Sequence, residues 1–271
     1  MGLRINTNIP AINASRVLRR TTGDLNKTLE QLSSGLRINR AADDAAGLAI
    51  AEAFRSQVLG TGVAQRNAQD GISLVQTAEG ALSETTNILQ RMRELAVQAA
   101  NGTQSDNNRL AIQGEINQLI QQINAIATDT EFNGIAVLNT TSAILIQAGV
   151  YSGQTLALSM ASATAAALGV SLVSVVSAVL AASAISVIDV ALGTVNTLRA
   201  RLGAYQNRLE FTINTLAIQQ ENASASESAI RDADIAQVTI RFTRNQILLN
   251  AGTSVLAQAN VVPQTALQLL R

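Results

Sequence analysis

The chain has 271 residues, 47% of them apolar and 14% charged, enough hydrophobic material to bury a sizeable core, so a disordered chain is excluded. With no Cys and no His it lacks disulfides, thiol nucleophiles, ordinary zinc sites and the usual proton carrier near neutral pH, so no cofactor or metal is expected and most enzyme classes fall away. Nineteen cations balance nineteen anions; both ends are mildly basic but lack the dense Lys/Arg and aromatic pattern of a nucleic-acid surface.

Aromatic residues make up only 2% of the chain, so the core must be built from Ala, Leu, Ile and Val, which lets long helices approach closely. Ile5, Ile9 and Ile12 lead into a first helix with Leu18, Leu25, Leu29, Leu32 and Leu36 on one side. Pro10 is suited to its first turn, and Gly35 interrupts it. Met1 to Pro10 holds one Arg and no apolar stretch of signal-peptide length, so no cleaved signal is expected.

The central element runs from Asp43 to Gly102. Val75, Ala78, Leu82, Thr85, Leu89, Met92, Ala96 and Ala99 recur at alternating steps of three and four, the 3.5 period of a helix laid along other helices. About 55 helical residues would span about 80 Å, longer than a globular helix and fitting a rod. Asp43 or Asp44 reads as the N-cap of this helix rather than as half of a catalytic pair. Asn101-Gly102 stops it. Ser105 or Asp106 then caps a third helix carrying Ile112, Ile116, Leu119, Ile123 and Ile126, which folds back on the second.

From Phe132 the pattern changes. Asn133-Gly134 is a turn dipeptide, Ile144 to Gln147 is a short apolar run, and Leu156, Leu158 and Met160 alternate with smaller residues, predicting one or two β-hairpins. Phe132 to Ile188 holds no charge, and Ala161 to Ile188 competes as a transmembrane helix. Gly169, the scattered Ser171, Ser174, Ser177, Ser183 and Ser186, and the absence of flanking Lys/Arg or Trp/Tyr anchors weigh against a span, and no membrane is expected.

Val195, Leu198, Leu202, Tyr205, Leu209, Thr212 and Leu216 resume the helical seam. The last segment places Leu248, Ala251, Val255, Ala259 and Val262 on one stripe. The fold expected is mainly α: a long antiparallel helical bundle or coiled-coil rod with a small β-hairpin region in the middle of the chain. Its divisions are the terminal helices 1–43 and 231–271, a long-helix bundle of 44–137 and 189–230, and a short middle region, 138–188.

The two ends carry more apolar surface than a helical hairpin can hide. Ile5, Ile9, Ile12, Leu18, Leu25, Leu29, Leu32 and Leu36 at one end, and Ile247, Leu248, Ala251, Val255, Leu256, Ala259, Leu267 and Leu270 at the other, form the expected polymerisation core. Contact with copies of the same chain follows, and a heterologous contact that does not close builds a filament.

The blocks LSSGLRINRAADDAAGLAIAE (Leu32 to Glu52), QRMRELAVQAANGT (Gln90 to Thr103), LGAYQNRLEFTINTLA (Leu202 to Ala217) and TRNQILLNAGTSVLAQAN (Thr243 to Asn260) occur in order, with Phe132-Asn133-Gly134 and Ser152-Gly153-Gln154-Thr155 between them. In these the chain resembles bacterial flagellin, in a short form lacking the variable outer domains. The resemblance implies a structural filament subunit, not an enzyme, in which the terminal helices form an inner tube and the long helices and hairpin a surrounding layer. It implies export unfolded through the flagellum's own apparatus, polymerisation at the distal tip and an extracellular location. The partners it implies are copies of the chain, an export chaperone near the C-terminus, and the flagellar cap and hook-junction proteins. It also implies recognition by host Toll-like receptor 5 around Arg91, Leu95 and Glu115, although Arg91 and Glu115 can equally pair with neighbouring helices. A hook-filament junction protein is the nearest rival within the family, but the match of both terminal blocks favours the filament subunit.

Overall fold

The computed structural model describes residues 7–268. These are mainly helical, with five helices and two small antiparallel two-stranded sheets: α1 (Ile9–Ser34), α2 (Ala45–Ala100), α3 (Asp106–Asp129), β1 (Glu131–Phe132), β2 (Ile135–Ala136), β3 (Ala143–Gln147), β4 (Thr155–Ser159), α4 (Ala178–Arg231) and α5 (Ile235–Gln268). The chain divides into two compact units, Met1–Ser56 with Asn222–Arg271, and Gln57–Glu221. Both boundaries fall inside α2 and α4, where the apolar repeat gives no signal of a break.

In the first unit α1 packs on α5. Asn8 caps α1, its side-chain oxygen accepting from the Ala11 amide, and Pro10 sits in the first turn where no backbone donor is needed. Gly35 closes the helix in a left-handed conformation, its amide donating to the Gln31 carbonyl. The next residues pair with the end of α4: the Arg37 amide donates to the Arg231 carbonyl and the Ala233 amide to the Gly35 carbonyl. The two acidic residues before α2 divide their work. Asp44 caps the helix by accepting from the Gly47 amide, while Asp43 accepts from the amides of Asn39 and Arg40.

The second unit is a helical bundle around one hydrophobic core. On α2, Ala64, Ala68, Val75, Ala78, Leu82, Leu89, Met92, Ala96 and Ala99 are all at most 1% exposed, and on α4 Ala181, Ala184, Ile188, Ala191, Val195, Leu202, Leu209 and Leu216 are buried. Steps of three and four keep both stripes on one face over many turns. Gly71 faces Leu209, Glu79 pairs with Arg199 and Arg93 with Asp189, so numbers climb on α2 as they fall on α4, and the helices are antiparallel. A Cβ at Gly71 would lie 3.3 Å from both Ile146 and Leu209, so glycine lets α2 approach α4 and β3 at once. α3 returns along α2 and buries Ile112, Ile116 and Ile123.

The middle of the chain forms two hairpins. β1 and β2 join through Asn133 (φ 51) and Gly134 (φ 75), the paired positive angles of a two-residue hairpin turn. β3 and β4 pair from Ala143↔Ser159 to Gln147↔Thr155, and β4 buries Leu156 and Leu158 while exposing the residues between them. The interval Ala161 to Ile188 is not one span. Residues 161–177 are irregular and turn-rich, burying Ala163, Ala165, Leu168, Val170, Val173 and Val175, and helix begins only at Ala178. Within α4 an 18-residue window has mean hydropathy 2.0 and is long enough to cross a membrane. Only 28% of that window is buried: Ala181, Ala184, Ile188 and Ala191 belong to the core of the bundle, while Val179, Leu180, Val187 and Val190 are exposed.

Candidate functional site

The terminal helices meet along a 3.5-residue stripe. On α5 it runs Val238, Phe242, Asn245, Leu249, Gly252, Leu256 and Ala259, buried or half-buried at each step. The opposing face of α1 offers Ala11, Leu18, Thr21, Leu25, Thr28 and Gln31. Three of these are polar. The Thr28 hydroxyl donates to the Leu25 carbonyl and the Gln31 amide to the Arg37 carbonyl, so neither is buried without a partner. A Cβ at Gly252 would lie 2.9 Å from Leu18, marking the closest approach, and the Asn8 amide reaches the Ala259 carbonyl at 2.8 Å.

The residues expected as the polymerisation core fall on both sides of that seam. Leu18, Leu25, Leu36, Leu256 and Ala259 are half-buried, whereas Leu29 and Leu32 turn outward because Thr28 and Gln31 hold the inner face. On α5 the expected stripe is likewise the outer one: Ile247, Leu248 and Val255 are 62%, 50% and 59% exposed, and Ala251 is exposed beside them. Ile9 and Ile12 are each 58% exposed on α1. Ile235, Ile240, Ile247 and Leu248 line an open apolar groove of about 870 Å³ along α5. Ile5, Leu270 and the side chain of Leu267 lie outside the described residues.

A polar cluster flanks the same unit. Lys27 Nζ lies 2.7 Å from Asp43 Oδ1, and the hydrogen bond from Lys27 together with the amides of Arg40 and Asn39 holds the Asp43 carboxyl below its ordinary value, against the opposing effect of burial. Arg40, in the connection between α1 and α2, pairs with Glu30 of α1 nearby at 2.9 Å.

On the second unit, Arg91 bridges α2 and α3. Its guanidinium lies 2.9 Å from Glu115 and 3.1 Å from Glu94, and hydrogen bonds to Glu115 and then Glu94 raise its pKa. Arg91 and Glu115 are exposed, but Leu95 is 2% exposed and sits in the core. Glu94, not Leu95, completes the surface at this level, because Leu95 falls on the α2 stripe that faces the bundle.

Several residues that hold these surfaces in place carry no periodic signal in the sequence. Arg109, 7% exposed, donates through Nε to the Ala99 carbonyl and through Nη2 to the Asn101 carbonyl, satisfying the end of α2. Gln113 donates to the Val173 carbonyl and accepts from the Val175 amide, as a neighbouring strand would. Asn124 accepts from the Ala165 amide, and Tyr205 Oη from the Ser159 amide. Gln113 and Asn124 fix the irregular 160–177 segment to the bundle, and Tyr205 fixes the end of β4. Polar residues on an apolar stripe were the only clue to them. Among the described residues no group of three or more acidic side chains gathers as a metal site.

Residues 5–143 match the bacterial flagellin N-terminal helical region, and residues 185–270 match the bacterial flagellin C-terminal helical region. The chain belongs to the flagellin family. Its similarity to other flagellins runs nearly end to end. It is 47% identical over 270 residues to a flagellin of Halalkalibacterium halodurans, covering 98% of this chain and 99% of that one. It is 45% identical over 284 residues to the flagellar filament 31.3 kDa core protein of Treponema maltophilum, with the same coverage. The crystal structure of Bacillus cereus flagellin superimposes with a TM-score of 0.51 at 37% identity, covering 56% of this chain and 88% of that chain. Flagellins are structural proteins.

Proposed function

We infer that the chain is a subunit of a bacterial flagellar filament and that it polymerises through the outer stripes of α1 and α5. The observation that carries this reading is the second apolar stripe. Once α1 and α5 have packed together, Ile9, Ile12, Leu29 and Leu32 on one helix and Ile240, Ile247, Leu248 and Val255 on the other still face outward. At about 25 cal/mol per Å², covering such a stripe is worth several kcal/mol per subunit, and copies of the chain supply the cover. Leu18, Leu25, Leu36, Leu256 and Ala259 contribute by holding the helical pair together.

In the filament the terminal helices form the inner tube and the bundle with its hairpins the layer around it. Export is unfolded, through the flagellar apparatus, and growth is at the distal tip among cap and hook-junction proteins. The apolar groove of α5 suits a cytoplasmic chaperone before export, since a helical groove of this composition would otherwise drive premature association. Host Toll-like receptor 5 would meet the exposed Arg91, Glu94 and Glu115 on monomeric protein. The chain works outside the cell, without cofactor, metal or catalytic activity.

The test is negative-stain microscopy of seeded or salted-out protein, full length and with residues 1–36 and 236–271 removed. Filaments from the full-length chain alone are expected. Equal polymerisation of the trimmed chain would place assembly elsewhere.

A further inference from the structure

Asp or Asn precedes Gly at Asp70-Gly71, Asn101-Gly102 and Asn133-Gly134. Such a pair is chemically labile when the glycine nitrogen can reach the side-chain carbonyl carbon before it, since no Cβ stands beside that nitrogen. The fold separates the three. Asp70-Gly71 lies inside α2, where the Gly71 amide is committed to the helical ladder. Asn133 is left-handed, with φ 51, and the ψ of about +47° that goes with that region sets the Gly134 nitrogen on the far side of the Cα–C bond from the side chain.

Asn101-Gly102 differs from both. It is exposed between α2 and α3, and among the described residues the Gly102 amide donates to nothing. The atoms that take up charge when the ring closes already have donors. Loss of the Gly102 amide proton leaves a charge shared with the Asn101 carbonyl oxygen, which accepts from Arg109 Nη2 at 3.1 Å and from the Gln104 amide at 3.2 Å. Attack on Asn101 Cγ moves the charge to Oδ1, which accepts from the Thr103 amide at 3.2 Å. Arg109 is itself buried and held by the Ala99 carbonyl and Asp106, so its cation is fixed at this peptide.

We propose that Asn101 is a site of self-catalysed deamidation, promoted by Arg109, in the turn between α2 and α3. The Gly102 nitrogen gives its proton to solvent and bonds to Asn101 Cγ. The side-chain nitrogen takes a proton from solvent and leaves as ammonia. Water then opens the five-membered imide at either carbonyl, giving aspartate or isoaspartate; one water enters, one ammonia leaves, and nothing is oxidised or reduced. Aspartate adds a negative charge beside Arg109, and isoaspartate also inserts a methylene into the backbone that Arg109 holds. The reaction belongs to the folded chain and does not depend on the filament reading.

The experiment incubates the full-length protein folded and in urea, and follows conversion by peptide mapping with isoaspartyl methyltransferase labelling. In the folded chain Asn101 is expected to convert about tenfold or more faster than Asn133, where the hairpin must open first. In urea, with the turns lost, the two rates are expected to come within about threefold. Two variants, checked by circular dichroism, test the mechanism. Gly102→Ala, whose Cβ would meet nothing within 4 Å, is expected to slow conversion at Asn101 about tenfold or more. Arg109→Gln is expected to slow it about threefold or more although it loosens the turn, whereas an Arg109 that only holds the turn closed would, once lost, speed it. Conversion of folded Asn133 as fast as Asn101, an Asn101 amide that persists in the folded chain while it is lost in urea, or an unchanged or faster rate in either variant would overturn the proposal.

Discussion

Arg109 shows how much one side chain can hold. It is the buried cation of α3, and its guanidinium spends its donors on the Ala99 and Asn101 carbonyls at the end of α2 and on Asp106. Those carbonyls have no intrahelical partner, and the negative end of the α2 dipole favours a cation there. The planar fork is what reaches two carbonyls at once. Arg109→Ala is expected to destabilise the bundle by about 3 kcal/mol, because buried acceptors lose charged donors, and Arg109→Lys is expected to recover less than half of that. Urea unfolding followed by circular dichroism measures both. A loss below about 0.5 kcal/mol for the alanine variant would mean that water replaces the guanidinium without cost.

At the scale of elements, the long seams were legible because α2 and α4 obey a single rule over many turns. Val75 through Ala99 and Val195 through Leu216 repeat every three and four residues, and each apolar member meets the bundle. The two hairpins were legible from turn chemistry and alternation around Asn133-Gly134 and Leu156 to Met160. The terminal seam was not, since Thr21, Thr28 and Gln31 occupy its buried positions while Leu29 and Leu32 are outside. Apolar periodicity reports where leucines are, and a helix with two apolar faces does not say which one its own partner takes. Residues 161–177 escaped for another reason: the segment is apolar but held by the side chains of Gln113 and Asn124, long-range bonds that leave no local pattern. The contrast gives a prediction. Leu209, fully buried against Gly71, is expected to cost about 2–5 kcal/mol when changed to Ala, measured by denaturant unfolding. A smaller cost would mean that the α2 to α4 contact collapses into the space left.

At the scale of the whole molecule, on the proposed filament reading, the apolar residues of the chain divide between folding and assembly, with neighbouring positions on α5 on either side of the division. Ile247 and Leu248 point outward while Leu249 turns toward α1. A sequence reader sees three consecutive apolar residues. The structure distinguishes them because one residue advances a helix by about 100°. Ile247→Gln with Leu248→Gln should leave the melting temperature of the monomer nearly unchanged, since exposed substitutions stay within about 0.5 kcal/mol each. The same pair should raise the polymerisation threshold by about tenfold or more, as the area those side chains bury on assembly is lost. Leu249→Gln is expected to behave in the opposite order. It strands a polar amide in the α1 to α5 seam, lowers the melting temperature, and weakens assembly only as far as it loosens the helical pair. Calorimetry on the monomer and light scattering during seeded growth separate the two effects. If Leu249→Gln blocked growth with unchanged melting, or the outward pair melted early and grew normally, the assignment of the two stripes would be reversed.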